Sequence, residues 1–183
     1  MEGSWRNVSI FVLSVSLALI GGQAGASNVH VKAGPFFIDN GLTLTATGTL
    51  AGLGFQDIVV GMTATANPIA TCTNPSGQNK PPGQNPAPVS VAATPEAIPA
   101  SEIKNGNTSF SLTTNPPVTP VPAAPDCPNS SWTENITDLQ FTSATIMVEQ
   151  PAPTVVLIVS CTFAPPTANG PVAVRTVTCT VSH

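Results

Sequence analysis

More than half of the chain's 20 prolines fall between Cys72 and Cys127. Proline fixes φ and has no amide proton to give a ladder, so runs such as Lys80-Pro81-Pro82-Gly83 and Thr119-Pro120-Val121-Pro122 cannot be helix interior or central strand. They predict ordered, proline-rich surface loops at 73–87 and 115–131. Between the loops lie two strand-like runs, Pro88 to Thr94 and Asn107 to Thr114, the second with Phe110 and Leu112 inward. The turn region separating them ends in Asn105-Gly106, a hairpin signal. The stretch reads as loop, strand, turn, strand, loop, framed by two cysteines.

The remainder of the chain also reads as strands. Val29 to Lys32 predicts a short edge strand and Asp39-Asn40-Gly41 a turn. From Leu42 to Leu50 the pattern alternates, with Leu42, Leu44, Ala46 and Leu50 on one side and threonines on the other, as in a half-buried strand. Ile58, Val60, Met62, Ala64 and Ala66 repeat that period, and the short turn between predicts that this second strand pairs back on the first. Asn67-Pro68 interrupts it, as a bulge or a change of sheet. The run from Trp132 to Glu149 changes phase near Gln140, which predicts a bulge or two short strands. Thr154 to Phe163 is the most apolar run and predicts a central strand covered on both faces. Val172 to Val181 supplies the last strand. Short strands separated by Pro, Gly and Asn turns, with no helical periodicity, predict an all-β antiparallel sandwich of seven to nine strands, Ig-like in a loose sense.

The first residues have the layout of a secretory signal: Arg6 in a short polar start, an apolar run from Val8 to Ile20, then Ala24-Gly25-Ala26 as a small-x-small cleavage site. Residues 1–26 are therefore predicted to be removed, and 27–183 to form a single extracellular or cell-surface domain. The cut takes one acid and one base, so the formal charge stays at −4. Lys32, Lys80, Lys104 and Arg175 are scattered singly, which gives no electrostatic footprint for nucleic acid or an anionic membrane. Four cysteines in a secreted chain predict two disulfides rather than a metal site, since none are spaced as C-x-x-C. A hairpin centred on Gly170 sets Cys161 opposite Cys179 with both thiols inward. Up-and-down strands bring Cys72 to Cys127, and the same count gathers the two proline-rich loops and Ala164 to Pro171 at one end.

The motifs G-T-L-A-G-L-G-F-Q-D, C-T-N-P-S-G followed by P-P-G-Q-N-P, I-P-A-S-E-I-K-N-G-N, and C-P-N-S-S-W resemble those of a group of small secreted bacterial proteins. The resemblance covers the chain from after the signal to about Glu149. It implies secretion and a β fold, and it transfers no functional residue.

Sites for chemistry are sparse. His30 and His183 lie near the two chain ends, and no G-x-S-x-G motif is present, so a Ser-His-Asp hydrolase has no visible constellation. The carboxylate pairs Glu134/Asp138 and Glu96/Glu102 do not have a spacing that flanks a sugar on strands or turns. Cleavage one residue later, after Ser27, would make Asn-Val-His an amino-terminal copper or nickel chelate, but Ala26 fits the cleavage rule better. Asn107, Asn129 and Asn135 have the form of glycosylation acceptors. Trp132 is read as a core plug over the disulfide, with an exposed loop anchor as the alternative. The sequence thus points to a non-enzymatic binding or surface-structural module without cofactor or metal, whose ligand is an extracellular surface, polymer or protein. Its candidate contact residues are Asn74, Gln78, Asn79, Lys80, Gln84, Asn85, Asn129 and Trp132. A secreted hydrolase of esters or glycans is the competing reading. Amino-terminal sequencing of the exported protein is expected to begin at Ser27.

Overall fold

The computed structural model describes residues 28–80 and 86–183; the signal sequence with its cleavage site, and Gln84 and Asn85 of the first loop, lie outside the described residues. Two antiparallel sheets pack face to face. One holds β1 (His30–Asp39), β2 (Leu44–Ala51), β7 (Thr108–Thr113) and the two-residue β10 (Gly170–Pro171), in the order β10-β1-β2-β7. The other is built on β3 (Ile58–Thr73) and β8 (Thr133–Glu149). Around them lie β9 (Val155–Phe163), β11 (Val177–Ser182) and three short strands that pair with β3: β4 (Asn79–Lys80), β5 (Val89–Ala92) and β6 (Glu96–Ile98). The two-layer β-sandwich and its short strands agree with the sequence pattern.

The alternation read from β3 holds without a break. Ile58, Val60, Met62, Ala64, Ala66, Pro68, Ala70 and Cys72 all face inward and are buried. Asn67-Pro68 therefore neither bends β3 nor moves it to another sheet. The irregularity lies across the ladder in β8, where the register slips at Thr137 and again at Thr142, on either side of Gln140. An extra residue in a bulge leaves a gap in the ladder. Each bulge here carries a threonine whose hydroxyl donates across to β3, Thr142 to the Thr65 carbonyl at 3.2 Å and Thr137 to the Ile69 carbonyl at 3.1 Å. With the slips, Leu139, Phe141, Ala144, Ile146 and Val148 all reach the core.

Several expectations are corrected. β3 does not pair back on β2, because the turn at Leu53-Gly54 arches from one sheet to the other. Two apolar-faced strands can bury those faces equally well by facing each other across the core, which periodicity alone does not distinguish. The arch is held by buried Gln150, which accepts from the Gly54 amide at 2.8 Å and donates to the carbonyls of Gly54 and Gln56. β1 runs ten residues rather than four, because Gly34-Pro35 is taken up in a bulge between Ala33 and Phe36, where the ladder to β2 shifts register. β9 is next to last in its sheet and buried on one face only, since a two-layer fold has no third layer for Val156 and Ile158.

Both disulfides pair as expected, with Cα separations of 5.6 Å for Cys72–Cys127 and 4.0 Å for Cys161–Cys179. The chain-entropy relation assigns them on the order of 4 and 3 kcal/mol respectively. Cys161 is buried; Cys179 and Val181 share its inward face, opposite Cys161 and Val159, but are exposed because β11 lies beyond the edge of the facing sheet. Along this side, between β1 and β11, the sandwich stays open. On the other side it is closed: Ala93 bridges Thr114, and the Glu96 carboxylate accepts from the Ser111 amide.

Two glycines give a packing test. Gly48 sits opposite Phe110 in the ladder, and a Cβ there would meet the buried ring at 2.8 Å and the Ala33 carbonyl at 3.0 Å; at Gly61 a Cβ would meet nothing within 4 Å. Gly48→Ala is expected to destabilise the fold by roughly 1–3 kcal/mol. In the same urea titration Gly61→Ala should be neutral or slightly stabilising.

Candidate functional site

β3 and β8 outrun the facing sheet, and the site forms on that overhang. β9 pairs with β8 only as far as Ser143, so among the described residues no strand lies beside the edge of β8 from Phe141 back to Glu134. Three loops satisfy it in turn. Thr167 donates its amide to the Phe141 carbonyl and accepts the Phe141 amide on its hydroxyl; the Leu139 amide donates to the Gly41 carbonyl. The Ile136 amide donates to the Thr119 hydroxyl, and the Val121 amide donates to the Glu134 carbonyl. Buried Asp39 holds the first two loops in place, accepting from the Thr167 hydroxyl and the Gly41 amide.

The inner face of the overhang is covered by the second proline-rich loop, tied down by the Cys72–Cys127 bridge. Proline-rich backbone is stiff and has few small movable side chains to fill a gap. Five prolines, at 68, 86, 88, 117 and 125, surround a cavity of about 350 Å³, together with Ala87, Val89, Val118, Val121 and Ile136. The two proline-rich loops are thus brought together as expected. Ala164 to Pro171 does not join them: it lies further along β8, at Phe141, with the β1–β2 turn between it and the two proline-rich loops.

Glu134 is the buried polar side chain of this cavity, whose wall also carries Ser90 and Asp126. It lies opposite Cys72 in the ladder, on the inward face, and is 2% exposed. Asp126 lines the same cavity, and its amide donates a long 3.4 Å hydrogen bond to Glu134 Oε2. Among the described residues no lysine, arginine or histidine lines it. Loss of water raises the Glu134 carboxyl above its ordinary value of about 4.5; the Asp126 amide opposes this, and the nearby Asp126 carboxylate adds to it. The sequence pattern had offered Glu134 only as a partner for Asp138. The signal for its burial was available, since Glu134 and Ile136 keep the inward period of β8, but it was masked by the phase slips that follow.

The residues nominated from sequence have mostly structural duties. Asn74 accepts the amides of Ser76 and Gln78 on its side chain and bonds the Gln78 backbone, building the β3–β4 turn in which Gly77 takes φ +79. Gln78 accepts from the Asn74 amide group, and Asn79 accepts from the Thr73 hydroxyl. Asn129 accepts the Ser131 amide and hydroxyl. Lys80 is exposed. Trp132 is half-buried in the Asn129–Trp132 turn and does not belong to the core, whose aromatic plugs are Phe37, Phe110, Phe141 and Phe163. The overhang carries the disulfide away from the main core, so its neighbouring tryptophan goes with it. His30 and His183 each bond a backbone carbonyl, of Asn28 and Val156, at separate places. Among the described residues no three metal-binding side chains cluster, and no helix is long and apolar enough to cross a membrane.

The raised Glu134 value fixes a pH dependence. The native state holds a proton that the unfolded chain has already released, so the stability linked to this group is fully present below about pH 4.5 and is lost as pH rises through the raised value. Glu134→Gln is therefore expected to melt above the parent at pH 7, with the difference shrinking toward pH 4, as followed by calorimetry across that range. No protein-family model, curated protein or solved structure matches the chain.

Proposed function

We propose that this protein is an extracellular binding module whose ligand enters the proline-walled cavity on the β3–β8 overhang. The carrying observation is a concave, mostly apolar site with a buried carboxyl, one wall of which is a loop tied to β3 by a disulfide. Concave apolar pockets with a few placed polar groups are the usual form of a ligand site, and stiff loops lose little entropy on binding. Two disulfides fit an oxidising compartment, which agrees with the signal-like amino terminus and with the resemblance to small secreted bacterial proteins. The site is framed by other residues than those nominated from the sequence, which chiefly hold its walls in shape.

A hydrolase reading has one observation in its favour, the adjacent carboxyl groups of Glu134 and Asp126. Against it, the Glu96 carboxylate is occupied by the Ser111 amide, and among the described residues no histidine lines the cavity to activate Ser90, the hydroxyl on its wall. Ala87 is exposed at the cavity wall, so Ala87→Trp roofs the site without entering the core. Labelled parent protein is expected to bind a component of an extracellular-surface and polymer panel. Ala87→Trp should lose that binding with its melting temperature within a few degrees of the parent. Equal binding by the two proteins would remove the cavity from consideration. Turnover of an ester or glycan by the parent that Glu134→Gln abolishes would establish the hydrolase instead.

A further inference from the structure

We propose that the cavity takes a primary alkylammonium group, the side chain of a lysine presented by a partner polypeptide, with its ammonium between Glu134 and Asp126 and its methylene stem along Val121 and Ile136. This deepens the binding-module reading and rests on it.

The charge balance of the cavity carries the inference. Two carboxyl groups open onto one mostly apolar space, one of them almost wholly buried, and among the described residues no cationic side chain lines that space. A buried charge without a partner is costly, so the site is complementary to a ligand that brings the missing positive charge. The apolar walls select a cation carried on an aliphatic stem rather than a bare ion, since lysine buries its methylenes along apolar surface while its head seeks oxygen. Among the described residues no aromatic ring lines the cavity, so it lacks the cage that a quaternary ammonium requires. An ammonium with three protons suits two separate carboxyl groups, whereas guanidinium favours a bidentate fork from one. The source is a polypeptide because Val118, three-quarters exposed at the rim, offers apolar surface to the residues flanking an inserted side chain.

The chain's own candidate cation is Lys80. It stands opposite Cys72 from β4, as Glu134 does from β8, so the three share one face with the cysteine in the middle. The Cys72–Cys127 bridge therefore lies between Lys80 and the cavity.

The test uses the full secreted chain with its disulfides intact, and reads the methyl resonances of Val118, Val121 and Ile136 by NMR. Nα-acetyl-lysine N-methylamide is expected to shift them saturably. The norleucine analogue, which has the stem without the charge, should bind at least tenfold more weakly, and Glu134→Gln should erase the difference between the two. Lys80→Met should leave the lysine affinity within about twofold. Equal binding of lysine and norleucine compounds would overturn the ammonium inference while leaving the cavity a binding site. A large gain in Lys80→Met would overturn it by showing that the chain's own lysine fills the site. Butylammonium binding as tightly as the lysine compound would overturn the polypeptide source. If no probe binds while Ala87→Trp still loses panel binding, the module reading stands and the lysine inference fails; if Ala87→Trp also binds the panel normally, the module reading fails as well.

Discussion

The antiparallel pairing of β3 with β8 is the constraint on which the rest of the structure depends. These strands are 16 and 17 residues long, whereas β2 and β7 in the facing sheet have eight and six. A sandwich needs both faces of its core covered, and the shorter sheet cannot cover the longer one. The overhang therefore has two needs: a cover for its inward face, and partners for the backbone groups along the edge of β8 that β9 does not reach. Loops meet both. Thr167, Gly41, Thr119 and Val121 take the edge in succession, and the second proline-rich loop lies over the face.

A loop is a poorer second layer than a sheet. It does not bring regularly spaced side chains to the interface, and a proline-rich loop cannot adjust its backbone to close a gap. The main core holds interlocked aliphatic and aromatic side chains, including an edge-to-face contact between Phe37 and Phe163 with ring centroids 5.0 Å apart. The overhang instead keeps a cavity, and it is there that a glutamate occupies an inward position. Elsewhere, buried polar side chains serve the backbone: Thr114 accepts the Leu44 amide, Gln150 holds the arch between the sheets, and Asp39 organises two loops. Glu134 instead accepts a long bond from the Asp126 amide and faces the Asp126 carboxyl, and its own carboxyl is raised chiefly by burial. The difference in packing and the difference in polarity have one origin, the mismatch in sheet length.

The disulfides act differently on this arrangement. Cys161–Cys179 joins neighbouring strands already in register, so it secures an edge that little else covers. Cys72–Cys127 joins a strand to a loop that shares no ladder with it, and so fixes the cover over the overhang. Without it the second proline-rich loop would be held to β8 by only a few hydrogen bonds.

Much of this was legible in the sequence because it is local. Alternation gave the inward residues of β2 and β3, Asn105-Gly106 gave a two-residue turn with both residues at positive φ, and the phase change near Gln140 announced the bulges. Cysteine spacing about Gly170 gave one disulfide, and strand counting gave the other. Partner choice was not legible: the same period suits β3 pairing on β2 or facing it across the core, and tertiary packing chose the second. The apolar run of β9 suggested cover on both faces, yet the layer count left one open. The site was half legible, since proline content marked the walls while Glu134 looked like a surface acid. Period states which side of a strand a residue is on. What covers that side is set by sheet lengths and crossings that involve residues far apart in the chain, and these only the tertiary structure decided.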